Sequence, residues 1–445
     1  MTDTIFALAS APGRAGVAVM RVSGPEAGAM LDRIAGPPRP AARMAALRRL
    51  RGDDGAVFDT GLVLWFPGPA SFTGEDCAEL HLHGGPAVIE SAARALSAAG
   101  ARPAEAGEFT RRAFENGKLD LTEAEGLADL IDAETEGQRA QALAQMDGAL
   151  KRLYAGWRDR LIEILAAIEG EIDFPDEGDV PDALADTAGP PLDDLIAELD
   201  AHLDDDRRGE KVREGFTIAL IGAPNAGKSS LLNALAKRDA AIVTDIPGTT
   251  RDIVEVRQVR AGFPVILADT AGLREAADVV EAEGVRRALA RAEDADLRLG
   301  LLDVSRETSD ALTALSARLR PGDALIANKA DLGEADGVQP PPEVSRFGIS
   351  AETGAGLDAL EAWLDATVAE RLGRREAPAL SRARHRRGVE TARDALADAR
   401  GRLTDLPELA GADAHRAVRA LEGLTGRVDV EDVLDRVFSQ FCIGK

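Results

Sequence analysis

The hydrophobic and polar positions change rhythm along the 445 residues. Over residues 1–118 the apolar runs are short and interrupted by Gly and Pro. "AGVAVMRVSG" and "TGLVLWF" predict strands, and "PAVIESAARALSAAG" has helical spacing. A compact α+β domain is expected there. From Leu119 the pattern turns helical. No proline stands between Pro103 and Pro175, and "LTEAEGLADLIDAETEGQRAQALAQMDGALKRLYAGWRDRLIEILAAIEGEI" is rich in Ala, Glu, Leu and Arg. Two or more long helices are expected, the first with Thr122 as N-cap three residues before Glu125. Pro175 and Pro181 then break an acidic run, "EIDFPDEGDVPDALAD". It reads as a solvated loop, with metal ligation by its carboxylates as the alternative.

Over residues 213–371 strand and helix patterns alternate: "FTIALIG", "KSSLLNALAK", "FPVILADT", "DLRLGLLDV", "ALIANKAD", "VSRFGIS". That alternation predicts a parallel sheet covered by helices. Helical texture returns over 372–445, in "HRRGVETARDALADARGRL" and "AHRAVRALEGLTGRVDVEDVLDRVFSQF". The expected fold class is multidomain α/β. An N-terminal α+β domain (1–118) precedes a discontinuous helical domain (119–212 and 372–445), into which a doubly wound domain (213–371) is inserted. No internal repeat is visible.

Composition, with 45% hydrophobic and 29% charged residues, fits a soluble protein of several domains. The net charge of −24 argues against broad electrostatic binding of nucleic acid. Locally, "RLGRREAPALSRARHRR" (371–387) is arginine-rich, either a solvated linker and helix start or an RNA-contacting face. Cys77 and Cys442 are the two cysteines, too few for a disulfide framework, so a cytoplasmic setting is expected. "MTDTIFALASAPGRAG" does not read as a signal peptide, and no apolar run reaches the ~18 residues of a membrane helix. Seven lysines stand among 53 basic residues, a skew that usually follows genome composition; the alternative is that they persist where a compact ammonium is the better ligand.

"IALIGAPNAGKSS" fits G-x-x-x-x-G-K-[ST] from Gly222 to Ser229, after a strand and before a helix. Its backbone amides can turn toward phosphate oxygens, with Asn225, Ala226, Gly227 and Ser230 alongside. Lys228 offers a charge to the β- and γ-phosphates and Ser229 a hydroxyl to magnesium. "NKAD" (328–331) selects the base. The Asp331 carboxylate can accept from guanine N1–H and N2–H₂, which adenine does not offer, so GTP is the expected substrate. Asn328 can bridge the base and phosphate loops, with Lys329 beside it and "SAET" offering Ser350 and Ala351 near the base. "DTAG" sets Asp269, Thr270, Ala271 and Gly272 at a strand end, the carboxylate for magnesium through water and the glycine near the γ-phosphate. Leu273 follows, where a water-orienting glutamine could stand; an alkyl chain cannot orient water. "VTDIPGTTRD" supplies a switch segment: Thr244, Asp245, Ile246, Pro247, Gly248, Thr249 and Thr250. The Asn225 carbonyl, with switch carbonyls, could hold a monovalent cation in place of an arginine finger; plain loop structure is the alternative.

These motifs, with "FTGED", "HLHGGP", "KLDLTEAE" and the terminal "FCIGK", resemble the MnmE (TrmE) family of tRNA modification GTPases over the whole chain. The resemblance implies an N-terminal domain that binds reduced folate (5-formyl- or methylene-tetrahydrofolate) and forms a homodimer. It implies a flavin-dependent partner, MnmG (GidA), in a heterotetramer or larger complex that modifies C5 of the wobble uridine of certain tRNAs. It also implies potassium ligands at Asn225, Thr244, Ile246 (main chain) and Thr249, and magnesium at Ser229 and Thr250. The water-orienting residue is implied at Glu281, with Glu283 as near competitor, and the folate contacts at Arg21, Glu79, Lys118 and Lys445. Four of the seven lysines then fall on implied site positions: Lys118, Lys228, Lys329 and Lys445.

Three readings are compared. The first is a potassium-activated GTPase of tRNA modification. The second is an RNA-binding GTPase switch in ribosome assembly, which would require an RNA-binding module after the G domain. The third is a folate enzyme regulated by its G domain. His81 and His83 alternate on a strand and read as structural rather than metal-binding. "CIGK" is a poor prenylation signal, so Cys442 is either a buried thiol or a catalytic or positioning group near the one-carbon carrier.

Overall fold

The computed structural model describes residues 3–173, 187–238, 255–269, 294–306, 309–333, 338–373, 377–428, 431–439, 441 and 444. The chain divides into two compact units. The first comprises Met1–Ala128, Ala144–Ile196 and Thr391–Lys445, the second Asp129–Leu143 and Ala197–Glu390. Among the described residues no helix is long and apolar enough to cross a membrane.

The first unit opens with β1 (Ile5–Leu8), β2 (Ala15–Ser23), β3 (Ala46–Arg51), β4 (Val57–Phe66), β5 (Cys77–Gly84) and β6 (Arg102–Pro103). They form one sheet in the order β3-β4-β5-β2-β1-β6, antiparallel apart from the short β1–β6 pair. Met20, Val22, Leu80 and Leu82 turn one face toward α1 (Ala27–Ala35) and α2 (Pro86–Ala98), whose Met30, Leu31, Ile34 and Leu96 complete a core. Side chains alternate along a strand, so Arg21 and Glu79 stand on the opposite face. They are register partners, flanked by Ala7 on β1 and Leu64 on β4. In α3 (Glu108–Glu115) Arg112 is only 1% exposed. Its guanidinium ties Asp3 (3.0 Å), Glu75 (3.1 Å) and Glu108 (2.9 Å) together, which compensates the cost of burying it.

Next come α4 (Leu121–Asp132), α5 (Glu136–Met146), α6 (Ala149–Asp173), α7 (Gly189–Leu203) and α8 (Arg208–Glu214). The cap of α4 departs from expectation. Asp120 is the N-cap: its Oδ1 accepts from the Glu123 amide at 2.8 Å, and Glu123 Oε2 accepts from the Asp120 amide at 2.8 Å. This reciprocal box lies two residues before the Thr122–Glu125 pair. Thr122 sits inside the helix and donates its hydroxyl to Asp120 Oδ1. Burial, with the nearby Glu123 charge, raises the Asp120 carboxyl above its ordinary value against the bonds from Glu123 and Thr122.

The second unit is built on β7 (Phe216–Gly222), β8 (Glu255–Arg260), β9 (Phe263–Asp269), β10 (Leu297–Asp303), β11 (Ala324–Asn328) and β12 (Ser345–Gly348). Their order is β12-β11-β10-β7-β9-β8. Helices α9 (Lys228–Arg238) and α11 (Leu357–Leu372) cover one face through Leu231, Leu235, Leu360 and Leu364. On the other, α10 (Ser309–Ser316) sets Leu315 against Ile221, Leu302 and Leu325. Burial on both faces explains the continuous apolar runs of the central strands. The sheet is parallel except at its edge, where β8 runs antiparallel to β9, contrary to an all-parallel reading. "EVRQVR" has only two apolar residues, Val256 and Val259, and no continuous apolar run, and positive φ at Ala261 (49°) and Gly262 (83°) closes the hairpin. This turn meets α5: the Gly137 amide donates to the Gly262 carbonyl at 2.8 Å, and a Cβ on Gly137 would collide with the Phe263 ring.

The remaining helices are α12 (Ala383–Arg402), α13 (Pro407–Thr425) and α14 (Glu431–Ser439). Three arginines of 371–387 serve the interior of the second unit rather than a linker or an RNA face. Arg382 pairs with Asp129 and Arg386 with Asp205, each at 2.6 Å, and Arg371 donates to the Asp296 carbonyl at 2.6 Å. In the first unit α13 lies along α6. Ala410, Ala414, Ala417, Leu421 and Leu424 are buried on one helix, as are Tyr154, Trp157, Leu161, Ile164 and Ile168 on the other, both at the 3–4-residue spacing of a helical stripe. Phe438 then stacks near Phe114 (6.2 Å) and Phe441 (5.8 Å). Beyond it Gly444, at φ +101°, lies so close to β1 that a Cβ there would collide with the Leu8 carbonyl.

Candidate functional site

The phosphate loop leaves β7 at Gly222, whose φ is +151° and whose missing Cβ lets Leu301 of β10 approach. Asn225 stands exposed at the crest with φ +65°. Gly227, at φ +95°, has Asn328 Nδ2 where a side chain would be. Lys228 opens α9 and is 4% exposed. Its ammonium donates to the carbonyls of Gly222 (3.0 Å) and Ala223 (2.7 Å), which holds the charge over the loop. Ser229 donates its hydroxyl to Asp269 Oδ2 at 2.8 Å. A hydroxyl and a carboxylate side by side are the hard oxygens that a small divalent cation selects. Ser230 is exposed in the same turn.

Asn328 ends β11 almost fully buried and joins three motifs. Its Nδ2 donates to the Ala226 carbonyl at 2.8 Å, and its Oδ1 accepts from the Ala351 amide at 3.2 Å. Ser350 is buried next to it, its Oγ accepting from the Thr353 amide, and Asp331 is exposed at the loop's rim. Lys329 reaches Asp303 Oδ2 at 2.5 Å. Burial would raise the Asp303 carboxyl, but hydrogen bonds from Lys329 and Ser305 outweigh it and hold the group below its ordinary value. Sequence reasoning passed over Asp303. The available signal is the apolar run "LRLGLLD" ending in a carboxylate, in register with Asn328.

On the first sheet, Arg21 donates through Nε (3.1 Å) and Nη2 (3.0 Å) to Glu79 Oε1, and His81 Nε2 lies 3.3 Å from Glu79 Oε2. The Arg21 guanidinium also faces the rings of Phe72 (5.4 Å) and Phe109 (5.9 Å). Glu79 is thus an anchored carboxylate acceptor, of the kind that an N–H-bearing heterocycle could meet. Lys118 donates to the Pro69 carbonyl at 3.1 Å and flanks Gly74 of "FTGED". His83 pairs with Asp59 at 2.7 Å, so both histidines have carboxylate partners. Among the described residues no group of three or more His, Cys, Asp or Glu could hold a metal. Thr244, Asp245, Ile246, Pro247, Gly248, Thr249, Thr250, Thr270, Ala271, Gly272, Glu281, Cys442 and Lys445 lie outside the described residues.

Residues 4–118 match the family described as GTP-binding protein TrmE N-terminus, and residues 121–442 the MnmE helical domain. The chain is 66% identical over 448 residues to a tRNA modification GTPase MnmE of Maricaulis maris, with all of each chain covered. It is 56% identical to the MnmE of Parvibaculum lavamentivorans and 54% to that of Caulobacter vibrioides, again over the full length of both. Full-length identity at this level, joined to a phosphate loop and a guanine-type loop locked together by Asn328, places the chain in the MnmE (TrmE) family of tRNA modification GTPases.

Proposed function

We propose that this GTPase hydrolyses GTP in a potassium-dependent manner and, as a homodimer working with a flavin-dependent MnmG-type partner, modifies C5 of the wobble uridine of certain tRNAs, using a reduced folate as one-carbon donor. The observation that carries the GTPase part is Asn328. One buried side chain bonds the phosphate loop at Ala226 and the "SAET" loop at Ala351. A base held by Asp331 is thereby coupled to a phosphate loop that already carries its lysine.

In this reading Lys228 exchanges the Gly222 and Ala223 carbonyls for phosphate oxygens. Ser229 and Asp269, with Thr250, would hold magnesium. Asn225, exposed at the loop crest, would hold potassium together with Thr244, Ile246 and Thr249. The two cations, held by these residues, would supply positive charge to stabilise the developing negative charge of phosphoryl transfer. Glu281 orients the attacking water, a task Leu273 cannot perform. Arg21 fixes Glu79 so that its carboxylate accepts from the folate's pterin N–H groups, with Lys118 and Lys445 for the acidic tail. The position of Gly444 against Leu8, one residue beyond Ala7, the register partner of Arg21, supports the approach of Lys445 and Cys442 to that face. Cys442 is read as a catalytic or positioning thiol.

Two measurements test this. GTP hydrolysis by the full chain should be markedly faster in potassium than in sodium at equal ionic strength; equal rates refute the cation role. Nucleosides from tRNA of a deletion strain should lack the wobble modification, restored by the wild-type chain and not by Lys228→Ala. Unchanged wobble uridines would overturn the tRNA reading and favour an RNA-binding switch.

A further inference from the structure

Beside the guanine-type loop runs a short turn, Asp303 to Ser305, that no nucleotide motif includes. Asp303 is 4% exposed at the end of β10, in register with Asn328. Both of its oxygens are engaged. Oδ2 accepts from the Lys329 ammonium at 2.5 Å, and Oδ1 accepts from the Ser305 hydroxyl (2.6 Å) and amide (3.0 Å). The backbones join as well, with the Val304 amide donating to the Asn328 carbonyl at 3.1 Å. From the far side, Gly333 fits so closely that a Cβ there would lie 2.9 Å from the Val304 carbonyl oxygen. The loop between Asn328 and Gly333 is thus fastened to this turn at its start, at its lysine and at its end.

Lys329 needs such a fastening. Its φ is +63°, a region that a non-glycine residue rarely occupies unless its surroundings hold it. A fully engaged carboxylate one strand away does so, by fixing the far end of the lysine chain. Asp331, two residues on, is exposed, and its aim depends on the loop that carries it.

We propose that Asp303 is a positioning residue for guanine recognition: it acts through Lys329, with Ser305 orienting its carboxylate, to hold Asp331 in line with the base. This rests on the reading of "NKAD" as the guanine site. It extends that reading to a residue pair outside the motif, and assigns Asp303 no contact with the nucleotide.

Titration of the full chain with GDP and IDP tests it. Hypoxanthine lacks the 2-amino group, so the GDP:IDP affinity ratio reports how well Asp331 is aimed. Asp303→Asn keeps the shape and removes the charge. It should weaken GDP about tenfold and IDP less, so that the ratio contracts. Ser305→Ala, a milder change that keeps the test alive should Asp303→Asn not fold, should move the ratio the same way by about threefold. A merely structural loss would weaken both nucleotides equally. Asp331→Asn serves as the control, since an amide donor facing the C2 carbonyl of xanthine should shift preference toward XDP. If that shift occurs and both other variants leave the ratio unchanged, Asp303 has no positioning role. If it does not occur, the guanine reading fails and takes the proposal with it.

Discussion

In the first unit the Arg21–Glu79 pair, the proposed folate contact, stands on a sheet's face; in the second the nucleotide motifs stand beyond a sheet's ends. Arg21 and Glu79 meet in mid-strand, held opposite each other by β2 and β5. Lys228, Ser229, Asp269 and Asn328 meet where parallel strands stop and loops begin. A face site inherits its geometry from the ladder, so one residue of slip would turn Arg21 into the core. A loop site must make its own geometry, through glycines at positive φ and a buried asparagine. The two therefore fail differently: the first through register and partner charge, the second through individual backbone positions.

This contrast orders the expected effects. Lys228→Ala should have the largest, lowering GTP hydrolysis by roughly 100-fold or more while folate binding is unchanged. Phosphate release and folate titration on the same preparation would show it, and a parallel loss of both would mean that the two sites are not separable. Glu79→Gln is the mirror experiment. Arg21 and His81 lose their anion, and reduced-folate affinity should fall about 10- to 100-fold with hydrolysis intact, read by calorimetry. Gly137→Val tests packing in the second unit, where any side chain meets Phe263. About 1–3 kcal/mol of stability should be lost, seen as a lower thermal midpoint. Asp120→Asn should have the smallest effect, because the amide keeps the capping acceptor. Since the folded Asp120 carboxyl is raised, wild type is penalised for ionising it at neutral pH and recovers as pH falls toward the unfolded value. The variant should match or exceed wild type by less than about 1 kcal/mol at pH 7, and the gap should close in acid.

How much could be read without coordinates follows the same division. Apart from the edge strand β8, the strands of the second unit and its phosphate loop are local patterns that stand where the sequence predicts them. Asp303 carries no local signal of its role, because its partner follows another strand and only the register brings Lys329 to it. β8 was passed over because an edge strand carries no continuous apolar run. Arg21 and Glu79 are 58 positions apart, and their match came from family resemblance, since no periodicity links them. The α4 cap was misplaced because two boxes overlap in "DLTEAE", and an aspartate at the helix boundary is the stronger acceptor. The arginines of 371–387 look like a solvated or RNA-facing run in one dimension. Arg382 and Arg386 have partners, Asp129 and Asp205, that lie far away in sequence.

Gly444 against Leu8 has a consequence for how the molecule is born. Residue 8 emerges from the ribosome long before residue 444, and all the strands of its sheet lie within residues 5–103. The contact of Gly444 with that sheet waits until residue 444 has been made, and closing so long a loop is slow. Until then the Leu8 end of β1 lacks its cover from Gly444, a contact of high sequence separation that joins after the local strand pairings.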